Sequence, residues 1–355
     1  MINYKEIFSI KPFSIKKNIK TKWFLNHQKK LTIFHSKNCS PYKKLTQSLF
    51  RDFKKVKNLI DLPYVHSGIF KNYNLTSVNT NQSTKTFTSS GTSKSNLSKI
   101  NIDRKTSLLQ SRALEIILDN FLKSKVKTIF FVDTPDSIIG SDSLTARGAA
   151  IKGFSRLANN SFFLMNKNYK LKIDKLVNFI DKNPNEPFII FGFTSFIWLH
   201  LVKKLINKKN KLKKNKGIII HGGGWKKMED NFIPKELFYN KIRKYTGVEK
   251  IHNYYGMIEQ TGSIFLECEN GFLHSSIFSE ILIRDKNLEL CKTKKVGLIQ
   301  VFSLLPISYP GHNILTEDIG AIEGEDNCKC GRLGKYFRVV GRVKGTELRG
   351  CSDVH

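Results

Sequence analysis

Between residue 104 and residue 255 the chain alternates short apolar runs with longer stretches of helical spacing, a pattern that few folds satisfy. Leu108, Leu109, Ala113, Ile116, Ile117 and Phe121 recur at helical spacing over residues 104–123. Residues 126–132 are a strand-length apolar run. Residues 143–158 and 171–182 read as helices, the second with Leu171, Leu176, Val177 and Ile180 on one side. Residues 188–193 read as a strand, and Thr194 caps a helix running to about Asn207. Residues 216–220 form a strand leading into Gly222-Gly223-Gly224. Pro234 opens a helix that ends near Gly247, and residues 250–255 form another strand. Strands alternating with helices imply a parallel or mixed sheet covered by helices. Such sheets bind ligands at the carboxyl ends of their strands, where the glycine triplet and Tyr255-Gly256 stand.

After Gly262 the pattern changes. Residues 263–268, 279–284, 296–304, 318–322 and 336–348 read as short strands joined by turns, as in a small barrel or an antiparallel subdomain. At the other end, residues 1–23 are basic and weakly patterned, and read as a loose arm. Residues 23–57 suit helices broken near Cys39-Ser40-Pro41. The expected organisation is therefore a basic arm (1–23), an α/β lobe (24–262), a β-rich subdomain (263–343) and a short tail (344–355).

Charge narrows the partners less than it first suggests. Lys and Arg number 60 against 29 acids, a net of +31, which raises binding to nucleic acid or an anionic membrane surface. Residues 203–216 alone carry eight lysines and no acid. Lys, Asn and Ile are all abundant, however, and AT-rich codons would give the same composition. No zinc-finger, RNA-recognition or homeodomain pattern accompanies the charge, so no specific nucleic-acid partner is expected. The most apolar window, residues 188–202, is too short and too polar to span a bilayer. There is no secretory signal pattern, and six cysteines in 355 residues do not make a disulfide framework. A cytoplasmic setting follows, with cysteines free, metal-bound or catalytic.

Four stretches carry chemistry. Nine of the fourteen residues 86–99 are Ser, Thr or Gly, with Lys94 and Lys99 and no acid. Such a stretch can wrap a polyphosphate with N–H and O–H donors, although a solvated linker has the same composition. It lacks the Walker A spacing. The second stretch is His252-Asn253-Tyr254-Tyr255-Gly256-Met257-Ile258-Glu259-Gln260-Thr261-Gly262, a strand end with aromatic rings and a nearby carboxylate. The third is Leu315-Thr316-Glu317-Asp318-Ile319-Gly320, and the fourth Gly341-Arg342-Val343-Lys344-Gly345. An Asp after a buried strand can accept from ribose hydroxyls, and an Arg between glycine turns can reach a ribose or a phosphate.

In this order the four stretches resemble the acyl-adenylate-forming superfamily. Cys328-Lys329-Cys330-Gly331-Arg332 ahead of the Gly-Arg turn resembles its phenylacetate–CoA ligase branch. The nearest resemblance is to the LuxE family of acyl-protein synthetases, the long-chain-fatty-acid–luciferin-component ligases. It rests on residues 35–42, Asp61-Leu62-Pro63-Tyr64, Ser89-Ser90-Gly91-Thr92, His221-Gly222-Gly223-Gly224-Trp225-Lys226, residues 253–263 and Arg349-Gly350-Cys351-Ser352-Asp353. It covers the chain from about residue 24 onward.

The resemblance implies the large N-terminal-type domain of adenylate-forming enzymes, α/β with mixed sheets covered by helices plus a small β subdomain. The usual C-terminal domain is expected to be lacking, because the sequence stops 11 residues after Lys344. It implies ATP-dependent conversion of a fatty acid to acyl-AMP, transfer to an enzyme cysteine, and delivery to an acyl-protein reductase. By motif position Ser89, Ser90, Gly91, Thr92 and Ser93 hold the pyrophosphate end. Gly223, Gly224, Tyr254, Tyr255 and Gly256 frame the adenine, Glu259 holds Mg²⁺, and Asp318 and Arg342 grip the ribose. Cys351 is the implied acyl acceptor, its thiolate attacking the mixed anhydride.

Two departures stand out. Lys94 occupies the place of a usual second glycine, and Lys344 that of a common hinge Asp. Cys268 and His274, with Cys328 and Cys330, can supply four ligands to a structural Zn²⁺, though Cys-x-Cys also makes a plain tight turn. Phe191, Phe193, Phe196, Trp198 and Trp225 suit an acyl tunnel or simply a core, and His221 and His252 suit either substrate orientation or structure. The competing functions are a phenylacetate-type acyl- or aryl-CoA ligase and a basic nucleic-acid or membrane-surface binder.

Overall fold

The computed structural model describes residues 2–50, 55–79, 85–89, 97–138, 143–225 and 233–343. The chain divides into two compact units. The first draws on three stretches, 1–88, 93–121 and 256–347, and the second on residues 122–255 with short pieces from elsewhere in the chain. In chain order the main elements begin with α1 (Tyr4–Ser9), α2 (Lys17–Asn38), α3 (Ser40–Leu49), β1 (Lys85–Thr88), β2 (Lys99–Ile102) and α4 (Arg104–Leu122). Next come β3 (Thr128–Phe131), α5 (Ala146–Ser155), β4 (Asn160–Phe163), α6 (Asp174–Lys182), β5 (Phe188–Phe193), β6 (Gly217–Gly222), α7 (Lys235–Thr246) and β7 (Lys250–Tyr255). The last are β8 (Phe265–Glu267), β9 (Leu273–His274), β10 (Ser279–Arg284), β11 (Gly297–Ser303), β12 (Asn313–Glu325) and β13 (Lys335–Arg342).

The second unit is a parallel sheet in the order β4-β3-β5-β6-β7. The central strand β5 is apolar at every position and buried throughout, as a parallel strand covered on both faces must be. Phe130, Phe188, Ile190 and Ile219 of the sheet pack with Leu176 and Ile180 of α6 and with Phe238 and Ile242 of α7. Each such side chain contributes about 1.5–3 kcal/mol by leaving water. Helix α7 ends at Gly247, whose φ is 69° and whose N–H bonds Arg243 O at 3.2 Å. A Cβ there would lie 2.1 Å from Lys213 O, so only glycine closes this turn. The helix after β5 is not uniform. Residues Ile197–Val202 form a π-helical segment between Thr194–Phe196 and Lys203–Asn207.

The first unit is an antiparallel sheet in the order β10-β11-β12-β13-β9-β8. The hairpin β1–β2 belongs to the same unit and brackets the Ser/Thr/Gly stretch. The N-terminal residues are not the loose arm their composition suggests. Ile7 and Phe13 are buried, and the Tyr4 hydroxyl donates to Leu304 O at 2.7 Å. On α2, Lys20 is 2% exposed and bonds Glu280 Oε2 at 3.1 Å and Ser279 O at 3.0 Å. A buried lysine survives only with such partners, and these lie far along the chain.

Two stacked histidines fasten α2 from its other side, with ring centroids 4.8 Å apart. His35 Nε2 donates to Pro306 O at 3.2 Å, so Nδ1 accepts from the Ser77 hydroxyl at 2.8 Å. The Thr32 hydroxyl donates to Gln28 O, so it accepts from His312 Nε2 at 3.0 Å. His312 Nδ1 has no partner among the described residues. Both rings are therefore neutral, and burial holds their pKa values down, that of His35 at about 3.

Candidate functional site

The motif residues of the first unit cluster around Glu259. This carboxyl sits in the short turn Ile258–Gln260 and is 6% exposed. The turn is fixed from three directions. Gln260 Nε2 donates to Val301 O at 3.1 Å and Gly311 O at 2.8 Å. The Tyr309 hydroxyl donates to Glu259 O at 2.9 Å. Gly262, at φ 83°, passes so close to Gln110 that a Cβ would lie 2.5 Å from its carbonyl oxygen. Burial raises the Glu259 pKa to about 7. The Ser98 hydroxyl and the Arg342 guanidinium favour the anion, and Asp318 opposes it. A carboxylate so placed changes charge near neutrality, and a bound cation would hold it ionised.

Strand pairing brings Asp318 and Arg342 together, since they are direct partners in the β12–β13 register. Arg342 Nε lies 3.2 Å from Asp318 Oδ1, and Nη2 lies 3.5 Å from Glu317 Oε2. Both acids and the arginine are part-exposed. The Thr316 hydroxyl donates to Ile299 O at 2.8 Å and accepts from Asp318 N at 3.1 Å, which fixes the strand just ahead of the acid. Sequence reasoning missed Glu317, although it stands next to Asp318 in the same motif. Only the bulged pairing of β12 with β13 shows that Arg342 reaches both carboxylates.

The motif residues of the second unit stand at the carboxyl edge of its sheet. Gly223 and Gly224 follow β6 at φ 82° and 64°. A Cβ on Gly222 would lie 2.6 Å from the Tyr254 ring, and one on Gly223 would lie 2.7 Å from Phe193. The triplet therefore lets aromatic rings lie directly on the backbone. Tyr254, opposite Gly222 in register, stacks on Phe191 at 5.9 Å and meets Phe154 at 5.8 Å. Tyr255 and Gly256 follow, half-buried.

His221 is committed to the fold. The Thr194 hydroxyl donates to Gly222 O, so it accepts from His221 Nδ1 at 2.9 Å, and Nε2 accepts from the Tyr239 hydroxyl at 3.2 Å. Phe191, Phe193 and Phe196 are core residues, while Trp198 and Trp225 are half-buried with rings 6.4 Å apart. Ser89 directly follows β1 and is half-buried. Ser90, Gly91, Thr92, Ser93 and Cys351 lie outside the described residues.

The two cysteine pairs of the first unit do converge. Cys268 follows β8, His274 is on β9, and Cys328 and Cys330 lie in the β12–β13 connection. Their donor atoms all fall within 4.8 Å of one another. Cys268 Sγ is 3.9 Å from Cys328 Sγ, and Cys330 Sγ is 3.4 Å from His274 Nε2. Tetrahedral zinc with Zn–S of about 2.3 Å and Zn–N of about 2.0 Å sets such separations at roughly 3.6–3.8 Å. Burial pushes the Cys268 thiol up to about 12. Cys330 is drawn down despite its burial, by hydrogen bonds from Arg332. Arg332 is itself held by Glu269 Oε2 at 2.9 Å and Phe121 O at 3.0 Å.

No helix among the described residues is long and apolar enough to cross a membrane. A family model described as acyl-protein synthetase, LuxE, matches residues 2–355. The long-chain-fatty-acid–luciferin-component ligase of Vibrio harveyi is 29% identical over 139 residues, which are 38% of this chain and 35% of that relative's length. Among solved structures, an open conformation of 2-hydroxyisobutyryl-CoA ligase with 2-HIB-AMP and CoA superposes with a TM-score of 0.70. That superposition covers 94% of this chain and 77% of the other at 14% identity. The same ligase in its thioesterification state gives a TM-score of 0.71 at 15% identity, over 94% and 70% of the two chains. At these identities the likeness establishes the fold, that of adenylate-forming enzymes, and nothing finer.

Proposed function

The chain belongs to the LuxE family of acyl-protein synthetases, and from that premise we propose that it activates a long-chain fatty acid with ATP and passes the acyl group to its own Cys351. In the first step a carboxylate oxygen attacks the α-phosphorus of ATP. The bond to the β-phosphate bridging oxygen breaks, leaving acyl-AMP and pyrophosphate. In the second step the Cys351 thiolate attacks the acyl carbon and AMP leaves, giving a thioester. An acyl-protein reductase would receive the acyl group, and the enzyme would work in the cytoplasm.

The observation that carries the reading is Glu259, a carboxyl held in a rigid buried turn with its pKa raised to about 7. Hard carboxylate oxygen suits Mg²⁺, which would offset charge on the phosphates. Asp318 and Arg342 would hold the ribose. Gly223, Gly224, Tyr254, Tyr255 and Gly256 would frame the adenine, and Ser89 to Ser93 the pyrophosphate end. Phe191 and Phe193 are occupied in packing, and the acyl chain is assigned to Trp198 and Trp225, which pack on the core but are only half-buried. A structural zinc at Cys268, His274, Cys328 and Cys330 would tie the β8–β9 hairpin to the β12–β13 connection, away from the chemistry.

The test is fatty-acid-dependent ATP–pyrophosphate exchange with labelled acid, on the wild type and on Cys351→Ser. Exchange in both proteins, with hydroxylamine-sensitive acylation in the wild type alone, supports the scheme. Equal thioester labelling of the variant removes Cys351 from it. Acyl-AMP consumed only on addition of CoA would make the protein a CoA ligase.

A further inference from the structure

Within the second unit, an open cavity of about 410 Å³ lies against the π-helical segment, lined by Tyr169, Leu199, His200, Lys203, Lys204 and Asn207. Its volume lies in the ~300–1,000 Å³ range of small-molecule sites. A π-helical turn costs hydrogen-bond geometry and recurs where a side chain must be aimed. Here the wide turn Ile197–Val202 carries His200, with Lys203, Lys204 and Asn207 one and two turns onward.

The wall behind the cavity is rigid and electrically closed. Asp133, 2% exposed, follows β3 and receives both Arg147 Nε, at 2.7 Å, and Arg147 Nη2. The guanidinium lies over the Phe196 ring, 4.4 Å from its centroid. The His200 ring packs 5.1 Å from Phe196 and 5.8 Å from Tyr169. Tyr169 itself is held at φ 55°, a conformation unusual for a bulky residue.

Asp133 in this wall is therefore neutralised, and no carboxylate is among the described residues that line the cavity. The lining offers two ammonium groups, an imidazole and an amide. None of these side chains spends a hydrogen bond or an ion pair on another described residue. Tyr169 and Leu199 add a flat apolar face. Two positive charges, the N–H donors of an imidazole and an amide, and an aromatic wall select an anion that carries a ring or another apolar group. We propose that this cavity binds a small phosphate ester, its phosphoryl group on Lys203, Lys204 and His200 and its body against Tyr169 and Leu199.

Calorimetric titration of the full-length protein tests this with phenyl phosphate, inorganic phosphate and phenol as probes. Phenyl phosphate should bind more tightly than inorganic phosphate, and phenol should not bind. The Lys203→Ala/Lys204→Ala variant should lose roughly tenfold or more in phenyl phosphate affinity, the loss expected for two charge-assisted contacts. Both lysines are exposed, so its thermal midpoint should be unchanged. The Lys211→Ala/Lys214→Ala variant, from the same lysine-rich run, should bind as the wild type does, and saturating ATP should not displace the probe. Equal weakening in both variants would reduce the effect to bulk positive charge and overturn the proposal. Displacement by ATP, preference for inorganic phosphate alone, or no binding would overturn it as well. The proposal does not depend on acyl activation, and loss of exchange activity would leave it standing.

Discussion

Acidification should unfold this protein through histidines that take no part in its chemistry. His35 in the first unit and His221 in the second are buried and neutral, each with both ring nitrogens committed, and burial holds each pKa at about 3. An unfolded histidine takes up its proton near pH 6.5. Below that value the unfolded chain binds protons that the folded chain refuses, so stability falls with pH until about 3. Between about pH 7.5 and about pH 5.0 each of the two contributes a loss of about 2 kcal/mol, at about 1.36 kcal/mol per pKa unit. Together that is about 4 kcal/mol, a large share of the roughly 5–15 kcal/mol a domain has. His312, whose pKa burial also lowers, acts in the same direction. The assay is equilibrium urea unfolding read by tryptophan fluorescence over this pH range. Trp23 on α2 reports on the helix that His35 anchors. His35→Gln will be less stable than the wild type near neutrality. Its deficit should then shrink by about 2 kcal/mol on going to pH 5, because one titration has been removed. A deficit that stays constant within about 0.5 kcal/mol, below any single-histidine term, would refute the assignment of a buried neutral ring.

Other outcomes follow from single features. Glu259→Gln keeps the shape of the turn but not the charge, and should lower fatty-acid-dependent ATP–pyrophosphate exchange by about 10²-fold or more with an unchanged unfolding midpoint. Elemental analysis should find about one zinc per chain; Cys328→Ser should lose that metal and lower the thermal midpoint, and a strong chelator should do the same to the wild type. Gly247→Ala forces a Cβ against Lys213 O at positive φ, and should cost about 2–4 kcal/mol in urea unfolding.

Much of this architecture is legible in the sequence, for reasons particular residues make plain. Residues 188–193, 250–255 and 279–284 are strands with the expected bounds; the first is a strand-length apolar run, and the other two are short segments set between turn or helix-end residues. Gly247 ends its helix as expected, since a Cβ in that left-handed turn would strike Lys213 O. The strand Asn160–Phe163 is invisible beforehand, because Asn160 and Ser161 sit exposed at the sheet edge and break the apolar pattern. The folded N-terminus is hidden for another reason. Its basic residues look solvated until Glu280 and Asp326 arrive from the far end of the chain to pair with Lys20 and bond Lys17 N. At the candidate site, spacing alone suggested the four metal donors, whereas the contact of Arg342 with Glu317 depends on a strand bulge. The pairing of Asp133 with Arg147 and the wide turn at His200 have no local signature, since both arise only when neighbouring elements pack.

The interleaving of the two units bears on how the protein is made. The sheet strands of the second unit all lie between Thr128 and Tyr255, so this sheet can close while the chain is still on the ribosome. The first unit cannot, because α2 precedes its partner strands by more than two hundred residues. At about 5–20 residues per second, Lys20 waits roughly 13–52 s for Glu280 to be synthesised. Over that interval the helix carrying Phe24, Leu25 and Leu31 has no sheet to cover it. Nascent α2 is thus the segment most in need of a chaperone. Substitutions there should lower the yield of folded protein more than they lower the stability of the molecules that fold.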